Sequence, residues 1–464
     1  MRDSVHRTGK YSAKLSGDVS KERLDSYGKA QKSGFLMASD SQVQAEIYIK
    51  SLGLPALWQN YYMIFAKEIL SVKSRHSGQT AQDEVCICYA KWNGRGLDST
   101  ALDDIVAHYG FSSCAAPAPP ACAWSWKRKL TFSGNVSATN LDDFPVLVHL
   151  TSVNFDFTKA QNNGEDIRFM DSDTCPTDGT PLKHEIERWD KAGLQAWVWV
   201  KVPRIDGGSA ADFIYMFYGN AAAPDGQDAT NVWNSNYKIV SHMADNPDNA
   251  SIWDSTQYVN HGAKAAANQP IQAASKIDYG QQFSGLPENI KIPHDVDYST
   301  TGDFAVEFWT NFTQQVAWSS FAVKWSGVGF RQWLIQLAGS SDANSRKLVW
   351  FVGSSCQAVS SYIYTTGTLN DATWYHIVCN IVGTTMRVYF NGVADATTKV
   401  FSGTRAHCNA PITIGMNDDG DQQPLIGFID EFRRYNGDMT TDWIMASYRS
   451  GNETLLTFGA EESA

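Results

Sequence analysis

From Trp124 onward, short apolar runs with a two-residue period recur along the chain, cut by clusters of Gly, Asn, Asp and Ser. KRKLTF, PVLVHL, EDIRFMD, KHEIERWD, QAWVWVKV and DFIYMFYG come first. DFAVEFWTNF, RQWLIQLAG, KLVWFVG, WYHIVCNIV, TMRVYFNG, APITIGM and LIGFIDEFRRY follow. Successive side chains of a strand point to opposite faces, so this alternation reads as half-buried strands. The runs are separated by turn residues rather than by helical segments, which predicts antiparallel sandwiches and not βαβ units. Asn391-Gly392 predicts a two-residue hairpin, because that pair supplies the positive φ a type I′ turn needs. Long strands with aromatics on both faces predict large curved sheets of jelly-roll type.

The chain before Trp124 reads differently. Val43, Ala45, Ile47 and Ile49 alternate as in a strand, and NYYMIFAKEIL and EVCICYAKW also read as strands. After Gly94 and Gly96 the period changes. Asp98 or Ser99 can cap a helix whose apolar positions Leu102, Ile105, Val106 and Tyr109 fall at i, i+3, i+4 and i+7, with Gly110 to end it. That stripe is expected to pack within its own domain, or else against a partner subunit. AAPAPPACA at 115–123 is an extended Ala/Pro linker. The expected organisation is a basic arm over 1–35, a small α+β attachment region over 36–114 and the linker over 115–123. A β-sandwich over 124–225 and a jelly roll over 226–459 follow. The fold class is mainly β, with two tandem antiparallel sandwiches.

Composition narrows the function classes. The 464 residues carry a net charge of −11, which argues against general nucleic-acid binding, since phosphate contact needs a basic face. Only the first 35 residues run the other way, with eight Lys/Arg against four Asp/Glu, as expected of an arm docking on an acidic neighbour. No apolar run has the length of a membrane span. The first residues, MRDSVHRTGKYSAKLSG, lack the apolar core of a secretory signal. Cys86-Ile-Cys88 is too tight for a paired-cysteine zinc site. The 16 Trp and 19 Tyr suit wide sandwich cores and sugar stacking alike.

Two stretches resemble known families. FPVLVHL, GEDIRFMDSD, PLKHEIERWD, AWVWVKVPRI and FIYMFYGN, within 144–220, resemble an uncharacterised β-sandwich domain that commonly precedes jelly rolls in microbial surface proteins. Its usual short DSDG turn is here the longer DSDTCPTDG (171–179). WNSNYKIVSHMAD, WDSTQYVNHG, QQFSG, GDFAVEFWTNF, TWYHIV, TMRVYFNG and IGFIDEFRRYNGDMTTDWI, within 233–458, resemble a laminin-G-like, concanavalin A-like jelly roll. The resemblance implies two packed sheets of about six or seven strands each. Family members bind glycans or proteins, some hold one calcium ion, and some are purely structural. KWNGRGLDSTALDDIV is loosely similar to helical segments of phage tail and capsid-associated proteins.

Candidate chemistry is sparse. No GxSxG elbow or HExxH helix is present, nor the E-x-D-x-E run that would set catalytic carboxylates on one sheet face. Glu185 and Glu187 alternate and so share a face, expected to be a solvated outer one; no catalytic residue is assigned and the chain is expected not to be an enzyme. Calcium is the candidate cofactor. The resemblance places Asp254 of WDST and Asp430 of IDEF on adjoining terminal strands, and the loop NDDGDQQ offers Asp418. Asp430 interrupts an apolar run, so it is expected to be buried with a partner: calcium, a backbone donor or Arg433. For sugar stacking the candidates are Trp318, Trp325, Trp333 and Tyr362, with Gly327 and Gly329 implying a loop after Trp325. Trp309, Trp350 and Trp374 are expected in the core.

The modules look like those of exported surface proteins, while the N-terminus has no export signal. A signal-free export route, removal of a signal, or assembly in the host cytoplasm into a virion would each reconcile the two. The last also accounts for the anchor-like N-terminal region, the Pro linker and the distal β modules. The expected function is therefore a structural virion protein, a phage tail, fibre or capsid-decoration appendage. Residues 1–114 would dock on other virion structural proteins, and the sandwiches would be displayed to host-surface glycans. Homo-oligomerisation would follow particle symmetry. A microbial surface adhesin or lectin is the first alternative, and a jelly-roll glycan-cleaving enzyme using Glu185 or Glu187 is the second.

Overall fold

A computed structural model gives the structure of the chain and describes residues 63–67, 86–90, 112–113, 122–264, 269–327, 329–417 and 422–464. It divides into two units, 1–121 and 122–464. In the first unit, β1 (Met63–Lys67) pairs antiparallel with β2 (Cys86–Ala90), and β3 (Ser112–Ser113) lies parallel to β2. Both longer strands fall inside the runs expected to be strands. The strand expected around 43–49 and the helix expected around 98–110 lie outside the described residues, as do the basic arm and Asp418.

The second unit opens with a sandwich. Its strands are β4 (Trp126–Thr131), β5 (Leu141–Thr151), β6 (Arg168–Met170), β7 (His184–Asp190), β8 (Gln195–Ile205) and β9 (Phe213–Tyr218). One sheet has the order β5-β8-β7. PVLVHL and QAWVWVKV are nearly continuous apolar runs because β5 and β8 are covered on both faces. Val146, Val148, Val198 and Val200 are fully buried, and so are their neighbours Leu147 and Trp199.

The other sheet has the order β26-β4-β9-β6, where β26 is the C-terminal strand Thr457–Ser463. It pairs antiparallel with β4, from Thr457 opposite Thr131 to Ser463 opposite Trp126. The Tyr218 hydroxyl donates to Glu461 at 2.7 Å, and Lys159 pairs with the same carboxylate. The first sandwich is thus closed by residues that follow the jelly roll, across the boundary expected at 459.

The jelly roll has sixteen strands. They are β10 (Tyr237–Ser241), β11 (Ser251–Ile252), β12 (Gly262–Lys264), β13 (Ile271–Ala274), β14 (Tyr279–Ser284) and β15 (Ile290–Ile292). Next come β16 (Phe304–Phe312), β17 (Ser319–Trp325), β18 (Arg331–Leu337), β19 (Lys347–Ser354) and β20 (Ala358–Thr368). The last are β21 (Tyr375–Val382), β22 (Thr385–Phe390), β23 (Val393–Val400), β24 (Ile412–Ile414) and β25 (Ile426–Asn436). They form two eight-stranded sheets, β13-β14-β25-β16-β21-β22-β23 with β10 also on β25, and β11-β12-β15-β24-β17-β18-β19-β20. Alternate residues meet between them: Phe304, Val306 and Phe308 of β16 with Trp333, Ile335 and Leu337 of β18 and Leu348, Trp350 and Val352 of β19. Asn391 (φ 50°) and Gly392 (φ 82°) turn β22 into β23 as expected, and a side chain at Gly392 would strike Met445.

One helix, α1 (Thr441–Gly451), follows β25, with the Thr440 side chain accepting from Trp443 N as its N-cap. It fastens the two sandwiches together. Asp442 accepts from Ala138 N, Thr139 N and the Thr139 hydroxyl. Ser450 accepts from Leu147 N at 2.8 Å, and Trp443 packs edge-on against Phe144 at 4.8 Å. One hydrophobic cluster therefore runs from Val146 and Trp199 of the first sandwich to Ala305, Val378 and Tyr435 of the jelly roll. Two disulfides staple the unit, Cys122–Cys175 and Cys356–Cys408, and Cys379 is buried and free. Cys175 belongs to the stretch that lengthens the DSDG turn. Among the described residues no helix is long and apolar enough to cross a membrane.

Ending the chain at Leu456 should strip β4 of its ladder partner. We expect a loss of at least about 2 kcal/mol in unfolding free energy and faster amide exchange concentrated in β4 and β9; unchanged exchange there would show that β26 does not hold the sheet. A second expectation concerns His184, which is buried with neither ring nitrogen hydrogen-bonded. Burial, then the nearby Arg168 charge, push its pKa down to about 4. The unfolded chain takes up this proton near pH 6.5 and the folded chain refuses it until about 4, so folding weakens as pH falls through that window. Denaturant unfolding at pH 7 and pH 5 should show the parent losing roughly 2 kcal/mol more than His184→Leu.

Candidate functional site

The strand alternation that sends Trp333, Ile335 and Leu337 into the core sends Leu334 to the outer face of the same sheet. Across the ladder, Val323 of β17 lies opposite Leu334, Leu334 opposite Phe351 of β19, and Phe351 opposite Tyr362 of β20. These residues share the outer face, with Val349 and Tyr364 one step along. Trp318, just before β17, leans over them. Ring centroids lie 6.1 Å apart for Trp318 and Phe351, 5.5 Å for Phe351 and Tyr362, 5.6 Å for Tyr362 and Tyr364, and 6.1 Å for Tyr364 and Trp318. Four rings thus close a cycle on the protein surface, and Tyr362 is 49% exposed. Burial, and then the charge of Asp342, raise the Tyr364 hydroxyl above its ordinary pKa. On β18, the buried Gln336 donates to the Ser320 hydroxyl at 2.8 Å and to the side-chain oxygen of Gln423.

The four sugar-stacking candidates therefore divide. Trp318 and Tyr362 come together in this cluster. Trp325 is not in a loop: it ends β17, is 4% exposed, and packs with Val323, Leu334 and Phe351 beneath the cluster. Trp333 is fully buried between the sheets and cannot meet a ligand, because its place in β18 points inward. Of the expected core residues, Trp309 and Trp350 are buried and Trp374 is half-buried against Phe428. Phe351 and Tyr364 were not singled out from the sequence, although their alternation with Trp350 and Ile363 in KLVWFVG and SYIYTT places them on the outer face.

The candidate calcium residues are also separated by the structure. Asp254 organises its own loop: Oδ1 accepts from Val240 N and Thr256 N, and Oδ2 from the Thr256 hydroxyl and Asn260 N. Four donors occupy the lone pairs that a cation would need. Asp430 is fully buried, as expected, and its partner is the backbone N–H of Ile277 at 2.8 Å. Burial, then the adjacent Glu431 charge, push its carboxyl well above the ordinary range. Neither residue belongs to a group of three or more acidic, His or Cys side chains within ligating reach among the described residues.

Such a group exists elsewhere, in the seam between the sandwiches. Glu185 and Glu187 do share a face of β7, but it is buried and not solvated, because the jelly roll covers it. His242, just after β10, stands between three carboxylates. Its Nδ1 is 2.7 Å from Glu431 Oε1 and 3.5 Å from Glu187 Oε2, and its Nε2 is 3.4 Å from Glu185 Oε2. Trp199 Nε1 donates to Glu187 Oε2 at 2.8 Å, and Trp233 Nε1 to Glu185 Oε2 at 2.9 Å. Arg433 donates to Glu431 Oε2 at 2.6 Å and lies 3.5 Å from Glu307 Oε1, which also meets His376 Nε2 at 2.8 Å. Burial works to raise Glu307, but Arg433 and His376 outweigh it and hold its carboxyl at about 2. Glu187 has no such pairing, and burial, with the neighbouring Glu431 and Asp430 charges, lifts it well above the ordinary range against the pull of His242. One sequence signal could have found this seam. The argument applied to Asp430, a charge inside an apolar strand, applies equally to Glu431 and Arg433 in GFIDEFRRY.

Two family models match the chain. Residues 285–445 match a domain of the concanavalin A-like lectin/glucanases superfamily, and 163–256 match a domain of unknown function, DUF2341. The chain thus carries a concanavalin A-like jelly roll preceded by a DUF2341 domain, in the order the sequence resemblances imply. No curated protein matches it. Similar solved structures include the binding domain of Paraclostridial Mosquitocidal Protein 1, at 14% identity and TM-score 0.38, over 46% of this chain and 52% of that one. The botulinum neurotoxin serotype D ligand binding domain in complex with N-acetylneuraminic acid is 11% identical with TM-score 0.37, over 48% and 52%. Domain 4 of AbnA, an extracellular arabinanase from Geobacillus stearothermophilus, in complex with arabinotriose, is 21% identical with TM-score 0.35, over 45% and 98%. The chain spans about half the length of the two toxin binding domains.

The two faces of the β17–β20 sheet should respond oppositely to truncation. Trp333→Ala is expected to cost about 3–5 kcal/mol by opening a cavity. Tyr362→Ala should stay within about 0.5 kcal/mol of the parent, as surface changes do. Urea unfolding of both variants checks the assignment, and comparable losses would contradict it.

Proposed function

We propose that this protein is a non-catalytic adhesion protein displayed outside the cell, which binds glycans on the outer face of the β17–β20 sheet. The carrying observation is the exposed cycle of Trp318, Phe351, Tyr362 and Tyr364. Sugar rings present apolar C–H faces that stack on aromatic rings, while their hydroxyls need polar partners at the margin. The phenol hydroxyls of Tyr362 and Tyr364 supply such partners. Two disulfides support a place outside a reducing cytoplasm, and virion and cell surfaces both meet that condition.

The non-catalytic reading is supported by where the alternating carboxylates lie. Glycoside hydrolysis needs two carboxyls flanking a bound sugar. Glu185 and Glu187 are instead buried beneath indoles that already hydrogen-bond them. The carrier of the display head is the part that rests on sequence alone. On our reading it is a virion, with residues 1–114 docking on other virion structural proteins and the chain assembling as a homo-oligomer. A cell-surface adhesin is the alternative carrier.

A glycan array probed with the full chain tests the binding. We expect hits that fall at least tenfold in affinity for Tyr362→Ala and for Trp318→Ala, a loss of about 1.4 kcal/mol or more, with unfolding unchanged. Binding that survives both substitutions would move the site elsewhere, and an array with no hits would overturn the glycan reading. Immunogold labelling of particles and cells separates the two carriers.

A further inference from the structure

The seam between the sandwiches gathers buried carboxylates around one imidazole. Glu185, Glu187, Glu431 and Glu307 converge there, and the Arg433 guanidinium is shared between Glu431 and Glu307. Buried charges need partners, and a divalent cation is one of the few ways to supply two positive charges in so small a volume.

We infer that Glu187, His242 and Glu431 form a binding site for a divalent transition-metal ion of the zinc class. One ligand atom from each lies within 4.8 Å of the others. The donor set is one imidazole nitrogen and two carboxylate oxygens, which suits Zn2+, whose nitrogen and oxygen ligands stand about 2.0–2.2 Å from the metal. A separate observation points the same way. The Glu187 side chain is 2% exposed, yet its Oε1 has no hydrogen-bond partner. A buried carboxylate oxygen left without a donor is expensive, and a ligated cation removes that cost.

The surrounding groups are arranged as the outer shell of a metal site. His242 turns Nδ1 toward Glu187 and Glu431, which leaves Nε2 facing Glu185. A metal-bound imidazole usually donates its other N–H to a carboxylate, which fixes the ring. Glu185 is itself held by Trp233 Nε1 and by the Ser255 hydroxyl. Trp199 Nε1 orients Glu187, and Arg433 orients Glu431 through Oε2. The Trp199 ring also stacks on the imidazole, with centroids 5.9 Å apart and planes inclined by 19°. Each proposed ligand is thus fixed from behind by a group that is not a ligand. The ion replaces the proton that Nδ1 shares with Glu431, so uptake releases protons to solvent.

The site joins β7 of the first sandwich to β10 and β25 of the jelly roll, so its role is to lock the two together. The test uses the full chain, stripped with a chelator and titrated with Zn2+ or Co2+ alone. We expect one ion per chain by elemental analysis, visible Co2+ absorption from nitrogen and oxygen ligation, and a melting temperature several degrees higher with Zn2+. Glu187→Gln keeps an acceptor for Trp199 and should abolish uptake while leaving the apo melting temperature nearly unchanged. Glu185→Gln should weaken uptake 10–100-fold, as outer-shell changes do. The proposal is overturned if the folded parent chain takes up no Co2+ or Zn2+ and its melting temperature does not respond. Uptake that Glu187→Gln leaves intact also overturns it. The parent titration decides the matter even where a variant fails to fold.

Discussion

A guanidinium cannot leave water alone; it needs anions, hydrogen-bond acceptors or aromatic faces on every side. Arg433 finds all three, and each comes from a different part of the chain. Glu431 lies two residues away on β25, Glu307 on β16 and the Ser447 hydroxyl on α1. The Trp199 ring of the first sandwich lies 4.5 Å from its carbon, and the Trp233 ring 5.1 Å. These contacts exist together only when jelly roll, helix and first sandwich are all assembled. Around it the apolar cluster is continuous from one sandwich to the other, so the first sandwich shares its core with the jelly roll, which closes a second core between its own sheets. Removing Arg433 would take a cation from two buried carboxylates, Glu431 and Glu307, a cost beyond its own contacts.

The two matched domains stop short of what the fold needs. The segments 124–162 and 446–464 lie outside both matches, yet they supply β4, β5, half of α1 and β26. Without them the first sandwich lacks strands from both sheets. Residues 122–464 are better regarded as one folding unit, threaded out into the jelly roll and back, than as two beads.

Local rules carried the sequence reading a long way. The Asn391-Gly392 hairpin follows from backbone sterics alone, and the alternation in KLVWFVG assigns Trp350 to the core. Burial of Asp430 could be inferred because one charge stood among apolar neighbours. What escaped was set by distant parts of the chain. Glu185 and Glu187 share a face, but nothing near them shows that the face would be covered by His242 and Arg433. Trp333 and Trp318 look alike as isolated aromatics; Trp333 faces the core from within β18, while Trp318 precedes β17 and leans over the outer face. β26 reads as a weak tail (TFGAEES), because it is an edge strand with one polar face, and its partner lies more than 300 residues away. The pairing of Cys122 with Cys175 was hidden because spacing alone does not say which cysteines meet in the fold.

That disulfide has a mechanical meaning. If the head grips a surface while the preceding residues are held by something heavier, tension arrives along the backbone from residue 121. It meets Cys122 four residues before it meets β4. Part of the pull is diverted through a covalent bond to Cys175, in the connection between β6 and β7. β4 is spared the full strain of being peeled from β9 and β26 one hydrogen bond at a time, which is the weakest way to stress a ladder. A sandwich entered this way resists tearing at the point where the pull comes in, and reduction of one bond would make that point its weakest.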